Sequence, residues 1–366
     1  MKVIVFLTEP ASYTIDLAKM VYLPNDINYK FLYTSSYSKP KTSELFDDNL
    51  FLDKLSIISR FNTLKKDYIE NDVVLFSGYT SISFLLLWII HVFSKYKKPI
   101  SIISDTPLKI PSNPFKRITK KWYLNYLFKN PYLNGLAGGN DTQKNLFRYY
   151  GMSSERIHFL PMVVDVNQFK FSPLRKRNEV FTFLFVGRFI PLKQIEIIIE
   201  EFLMKFEKDS SVQLILVGDG PRYTSIYENY SKYTNVLFKG RLTAMDLKRE
   251  FELAHVFVLA SNNENWGLVI NEAMSASLAV LSNLGIGANY DLIQDNDTGL
   301  IFDASKKGDL ANKMQILCKN KEHYQVLTKN AYSLMHEYWN FNLYSKQLNL
   351  ALSKILEQRQ IDNFRK

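Results

Sequence analysis

What limits the fold of this chain most is an alternation that runs through both of its halves. Short apolar, strand-like runs that end in glycine or a polar turn are separated by segments of helical periodicity. KVIVFLT, YKFLY, DVVLFSG, PISIISD, NGLAGG and RIHFLPM come first, and FTFLFVG, QLILVGDG, NVLFKG, HVFVLAS, LAVLSN and GLIFD follow. A helix between successive strands returns the chain to the same end of a sheet, so the strands must pair in parallel, with helices covering the faces. The class is α/β, and 366 residues exceed what one simple core of this kind holds. Two Rossmann-like domains are therefore expected. The polar stretch Val166 to Asn178, broken by Pro173, is the natural joint. It puts a first domain at 1–170 and a second at 171–340, with a helical segment over 341–366.

Composition narrows the function. A hydrophobic fraction of 46% with 14% aromatics excludes a mainly disordered chain. One cysteine, Cys318, permits no internal disulfide and points to a reducing, cytoplasmic setting. The five histidines are scattered without metal-ligand spacing, so no protein-built metal site is expected. The N-terminus has Glu9 and Pro10 where a signal peptide needs a longer apolar run, and reads as a first buried strand. The most apolar window, SISFLLLWIIHVF at 81–93, is too short to span a bilayer and reads as a buried helix.

Charge is uneven. Residues 95–148 carry eleven Lys and Arg against only Asp105 and Asp141, nine of the net +10. Within them FKRITKKWYLNYLF interleaves Lys116, Arg117, Lys120 and Lys121 with Ile118, Trp122, Tyr126 and other apolar residues, the pattern of an interfacial helix that can rest on anionic lipid. The competing reading is a solvated basic face on a helix whose apolar side is core. No nucleic-acid partner is expected, since no reader module is present.

The chemistry concentrates in the second half. In SNNENWGLVINEAM, Glu264 and Glu272 flank an Asn-Trp-Gly turn, the first carboxylate in a loop and the second at a helix start. Two acceptor-only side chains converging on one crevice suit a polyol. Upstream, FTFLFVGRFIPLK runs from strand to glycine turn to basic residues to helix, a phosphate-binding layout. Arg188 offers a planar fork for phosphate oxygens, and Lys193 a compact charge at the helix start. Gly218 in LILVGDGP, and Gly240 with Arg241 and Leu242 in NVLFKGRL, close strands at the carboxyl edge where doubly wound sheets bind ligands. Gly285 and Gly287 precede a helical pattern whose amides can face an anion. Asp295 and Asp297 form a D-x-D, read as a turn because QDNDTGLIF is dense in turn formers. In the first half Asp105, after PISIISD, is placed to orient a hydroxyl or act as a base. Tyr79 after Gly78 holds a similar position.

The spacing Glu264-x7-Glu272 resembles the signature of retaining GT-B glycosyltransferases of family 4. Gly187, Arg188 and Lys193 match that family's G-R-x4-K-G in register, with Gln194 in place of the last glycine. The resemblance covers 181–303 closely and the first half in outline. It implies a GT-B fold, two Rossmann-like domains facing across a cleft, with the C-terminal helix crossing back to the first. Arg188 and Lys193 would stabilise the departing diphosphate and Glu264 would hold the donor sugar, with Asp105 beside them in the catalytic set. Glu272 would hold the ribose, while Asn265, Trp266, Gly267, Leu268, Gly285 and Gly287 would complete the donor site with Gly187, Gly218, Gly240, Arg241 and Leu242. Pro10, Ser12 and Tyr13 look like the family's P-S-P-Y variant, so Ser12 and Tyr13 join Tyr79 and Asp105 on the acceptor side. The implied activity is retaining, metal-independent hexosyl transfer without a cofactor, from a UDP- or GDP-sugar to a saccharide or polyprenyl-diphosphate-linked saccharide. Its expected setting is bacterial O-antigen or capsule synthesis, in the cytoplasm at the inner membrane face. A sugar-nucleotide epimerase or hydrolase of the same fold, or a non-catalytic sugar-nucleotide or lipid binder, are the alternatives.

Overall fold

The strand runs form strands because β-branched and aromatic side chains buried on both faces fit a sheet covered by helices on each side. The structure, a computed structural model, describes residues 1–34, 51–169, 171, 179–295 and 297–364. It divides into two compact units, Met1–Met162 with Phe341–Lys366, and Val163–Asn340. Of the expected joint, residues 170 and 172–178 lie outside the described residues.

Among the described residues the first unit has six strands, β1 (Val3–Leu7), β2 (Ile27–Phe31), β3 (Val73–Ser77), β4 (Ile100–Ser104), β5 (Leu133–Ala137) and β6 (Ile157–Phe159). All pair in parallel in the order β2-β1-β3-β4-β5-β6. The helices between them are α1 (Ser12–Leu17), α2 (Ile57–Glu70), α3 (Ile82–Phe93), α4 (Pro114–Phe128) and α5 (Asp141–Tyr149). The connections through α2, α3, α4 and α5 all advance across the sheet in one direction, and right-handed crossovers then put these four helices on one face. Their inward residues, including Leu64, Phe84, Leu87, Leu124, Phe128 and Phe147, form one core with the strands. Ser81 caps α3 by accepting from the Phe84 amide at 3.1 Å, and Asn113 caps α4 by accepting from the Lys116 amide at 3.0 Å, with Pro114 in the first turn.

One expectation needs correction. The apolar window at 81–93 is not a buried helix, because only Phe84, Leu87, Trp88, Ile90 and His91 among its large side chains are covered. Ile82, Leu85, Ile89, Val92 and Phe93 are exposed. A helix laid on a sheet face is covered on one side only, and a helix apolar all round hides that periodicity from the sequence.

The second unit repeats the plan. Its strands are β7 (Phe181–Val186), β8 (Val212–Val217), β9 (Val236–Gly240), β10 (Val256–Leu259), β11 (Ala279–Asn283) and β12 (Leu300–Phe302), parallel in the order β12-β11-β10-β7-β8-β9. This is the doubly wound nucleotide-binding order, whose direction reverses between β7 and β10. Its helices are α6 (Ile195–Phe206), α7 (Tyr223–Tyr230), α8 (Ala244–Leu253), α9 (Leu268–Ser275), α10 (Asn289–Leu292), α11 (Asp309–Lys319) and α12 (Lys321–Ser333). Glu201 is a buried acid on the apolar α6, and its carboxylate accepts the Gly308 and Ala311 amides at 2.7 and 3.0 Å, capping α11. The last helix, α13 (Phe341–Phe364), belongs to the first unit. It buries Tyr344, Leu348, Leu352 and Ile355, and the Tyr344 hydroxyl is hydrogen-bonded to that of Tyr22.

Candidate active site

In a doubly wound sheet the loops leaving the two strands at the reversal point diverge and leave a crevice between them. In the second unit these are the loops after β7 and β10, and they carry Arg188 with Lys193 and Glu264 with Gly267. The β7 loop ends in a short 3₁₀ turn, Pro191–Lys193, after which Gln194 takes a left-handed conformation, φ 49° and ψ 46°, and opens α6. That turn aims Lys193 at the neighbouring loop. Its Nζ lies 2.5 Å from Glu264 Oε2, and both side chains are largely covered. The Asn262 amide donates to the Leu192 carbonyl at 3.2 Å and fixes the two loops together. Arg188 is exposed on the same β7 loop.

The β8 turn interlocks with the β7 turn through backbone alone. Gly187 donates to Val217 O, Phe189 to Asp219 O and Arg222 to Phe189 O, at 3.0, 2.9 and 3.0 Å. A Cβ on Gly218 would stand 1.9 Å from Gly187 O. Gly218 therefore lets the β7 loop lie where Arg188 and Lys193 need it. The Gly218 amide also donates to Gly240 O at 2.8 Å, which carries the edge on to Arg241 and Leu242.

Gly267 sits at φ 95° and ψ 60° and opens α9, whose first-turn amides point out of the helix end. Glu272 lies in the second turn of α9, one turn further in than the sequence suggested, and is half-buried. Asn265 and Leu268 flank the turn. Trp266 goes the other way. Its indole is 1% exposed, donates to Asn271 Oδ1 at 2.8 Å and stacks on Trp339. It supports the loop from beneath.

The Gly285–Gly287 segment also differs from expectation. The Gly287 amide donates to Glu264 O at 3.2 Å and Ala288 to Trp266 O at 3.0 Å, and α10 is a single turn. These amides tie the Glu264 loop in place rather than wait for an anion. Gly285 is exposed at φ 83°. The D-x-D carboxylates hold the local turn: Asp295 accepts the Ile301 amide at 3.0 Å and Asp297 the Asn330 side chain at 2.7 Å.

In the first unit the reversal point lies between β1 and β3. Tyr13 on α1 is pushed up to about 12 by burial, with Asp105 and Glu9 adding negative charge beside it. Tyr13 and Asp105 are thus brought together, Ser12 starts the same helix, and Glu9 is a third polar group that sequence reasoning missed. Its only signal was its place at the end of β1. Gly138 lets the chain pack closely against the Asp105 backbone, since a Cβ there would meet Met162 Cγ at 2.8 Å and Asp105 Cα at 3.2 Å. Tyr79 belongs elsewhere: its ring packs edge-on to Phe128, and its carbonyl accepts from Tyr123 Oη at 2.6 Å.

Residues 166–334 match the family model for glycosyl transferases group 1. The alpha-monoglucosyldiacylglycerol synthase of Acholeplasma laidlawii is 28% identical over 165 residues, 42% of this chain and 39% of that protein. The N-acetyl-alpha-D-glucosaminyl L-malate synthase of Bacillus anthracis is 24% identical over 197 residues, 53% and 50%. The chain thus spans about half or less of the length of these curated relatives. The Anabaena protein HepE, solved with UDP and glucose, superimposes with a TM-score of 0.73 at 16% identity over 96% of this chain and 99% of that one. The fold is that of GT-B glycosyltransferases.

Proposed function

We propose that this chain, a member of glycosyl transferases group 1 over residues 166–334, transfers a sugar from a UDP- or GDP-sugar to a hydroxyl of a saccharide or lipid-linked saccharide. The anomeric configuration is retained and no metal takes part. The observation that carries the reading is the Lys193–Glu264 pair at the reversal point of the second sheet, with a cation for a diphosphate and a carboxylate for sugar hydroxyls held 2.5 Å apart.

In this reading Arg188, Lys193 and the first-turn amides of α6 and α9 receive the diphosphate, Glu264 the donor sugar and Glu272 the ribose. As the bond from the anomeric carbon to the phosphate oxygen lengthens, negative charge grows on the diphosphate and Lys193 stabilises it. The acceptor oxygen bonds to the anomeric carbon on the same face, and its proton passes to the leaving phosphate oxygen. On the first unit Asp105, with Tyr13 and Ser12, orients the acceptor hydroxyl. The UDP bound by the Anabaena protein supports a nucleotide-sugar donor, and the two relatives' names support sugar transfer while differing in what receives the sugar. A composition rich in Ile, Asn, Lys and Tyr supports an AT-rich bacterial source, in which O-antigen or capsule synthesis at the inner membrane face is the setting we favour.

The test is thermal stability in EDTA with UDP, GDP and ADP in turn. A ligand at ~100 times its Kd adds about 2.7 kcal/mol. One nucleotide should raise the midpoint, and Glu272→Ala should abolish the rise. No rise with any of the three removes the donor-site reading. Product analysis with and without a sugar acceptor then separates transfer from epimerisation or hydrolysis.

A further inference from the structure

Helices α3 and α4 lie on the same face of the first sheet and carry matching outward stripes. On α3 an exposed apolar series runs through Ile82, Leu85, Ile89 and Phe93, with Val92 exposed beside it, and on α4 one runs through Phe115, Ile118, Trp122 and Tyr126. Both series step by three, four and four residues, the spacing that keeps side chains on one side of a helix. The two helices meet through the rings of Trp88 and Tyr126, 6.3 Å apart, and Trp122, itself 75% exposed, stacks on Tyr126. The sequence offered two readings of α4, interfacial helix or basic face over a core. The structure contains both, since Leu124, Leu127 and Phe128 face the core while the second apolar stripe faces out.

Charge frames this surface. From Val73 to Asn140 there are nine Lys and Arg and one acid, Asp105. Lys97, Lys98 and Lys120 are engaged with backbone carbonyls at 2.5–2.8 Å, whereas Lys95, Lys116, Arg117, Lys121 and Lys129 are exposed. By helical spacing Lys116 and Lys121 flank the α4 stripe, and Lys129 continues it three residues beyond Tyr126. The stripe cannot roll inward, because α4 is pinned along its length. Tyr123 Oη donates to Tyr79 O at 2.6 Å, Lys120 Nζ to Lys109 O at 2.8 Å, and Arg156 to the Phe128 and Leu133 carbonyls at 3.1 and 2.8 Å.

We propose that this face of α3 and α4 docks on an anionic lipid bilayer. Aromatic rings beside lysines suit the headgroup level, where the ring enters the apolar boundary and the ammonium meets lipid phosphate. A second copy is the wrong partner, because pairing the face with itself would bring two nearly acid-free basic surfaces together. No helix among the described residues is long and apolar enough to cross a membrane, so the chain rests on the surface through this patch. Both helices begin at the carboxyl end of the sheet, the end at which β4 leads into Asp105, so docking on this side sets the acceptor residue Asp105 toward the lipid. That use of the surface rests on the glycosyl-transfer reading, whereas the docking itself does not.

The experiment is co-sedimentation with vesicles of phosphatidylcholine containing 30% phosphatidylglycerol, against phosphatidylcholine alone. Trp122 supplies a second readout. The other three tryptophans, Trp88, Trp266 and Trp339, are 7%, 1% and 3% exposed, so a blue shift on binding reports Trp122, and Trp122→Phe should remove it. Binding should need the anionic lipid and weaken with salt. Lys116→Gln, Lys121→Gln and Lys129→Gln together should lower affinity on the order of 100-fold, and Ile118→Ser with Trp122→Ser should also release the protein. No binding to anionic vesicles, equal binding to both compositions, or indifference to both variants overturns the proposal. So does a self-associating protein that these variants turn into a monomer. The UDP, GDP and ADP stability shift, measured on the same variants, should be unchanged. Its loss in the unaltered protein would sink the donor-site reading and leave docking standing.

Discussion

Lys193 Nζ and Glu264 Oε2 stand 2.5 Å apart although 71 positions separate them in the chain. The pair holds the cation at the mouth of the β7–β10 crevice before any ligand arrives, so its charge is already oriented when it is needed. If Lys193 acts on the leaving diphosphate, Lys193→Ala should lower kcat ~10²- to 10³-fold while changing donor KM little. Glu264→Gln should act mainly on the donor sugar. Because the two share one contact, their double variant should depart from additivity. Steady-state kinetics on all three decides it, and unchanged turnover in Lys193→Ala removes the assignment.

Two glycines that look alike in sequence should behave differently. Gly218 is hemmed in by Gly187 O at 1.9 Å from its would-be Cβ, whereas nothing nearer than 3.9 Å faces Gly240. Gly218→Ala should destabilise by ~3 kcal/mol or more, since backbone must move. Gly240→Ala should cost only ~1 kcal/mol, the penalty of a left-handed alanine at φ 61°. Urea unfolding of both variants measures the gap, and equal losses would refute the interlocked-turn account.

Gln194 carries strain where the family pattern has glycine. It is left-handed at φ 49°, and its Oε1 is buried with no hydrogen-bond partner. Gln194→Gly should therefore stabilise by roughly 0.5–1 kcal/mol, the relief outweighing the greater freedom of glycine in the unfolded chain. A loss of stability would mean that the side chain contributes packing that outweighs the strain.

Stability should fall on acidification below neutral pH as two buried histidines take up protons on unfolding. His91, accepting from or donating to Tyr68 Oη at 3.0 Å, and His158 are both held at about 4 by burial, with Lys97 and Lys354 adding positive charge nearby. Unfolded, each binds its proton near pH 6.5, so between pH 6.5 and 4 the unfolded chain holds more protons and falling pH favours it. The stabilisation is complete above 6.5 and is lost as pH falls toward 4, on the order of 1–3 kcal/mol for each histidine. Urea midpoints across this range test it. The slope should flatten in His91→Gln combined with His158→Gln, and a slope unchanged by both substitutions would reject the assignment.

Strand runs, glycine turns and the loop placement of Arg188, Lys193 and Glu264 were legible in the sequence because each rests on a local pattern, a few residues whose conformational preferences do not depend on distant partners. The departure at Gln194 from the family's glycine was also visible there, but its left-handed conformation came only with the structure. Trp266 was expected among the donor-site residues, and its ring is a buried prop against Trp339, because strand and loop patterns do not say which way a side chain leaves a turn. Gly287 reads as an anion-binding amide and is committed to Glu264 O. The apolar α3 reads as buried and keeps half its surface outside. In each case the deciding quantity is which neighbour covers which face. Only the folded packing sets that, because burial and hydrogen-bond partners come from chain segments dozens of residues away, whereas the order of strands and helices follows from the local run of apolar and turn-forming residues.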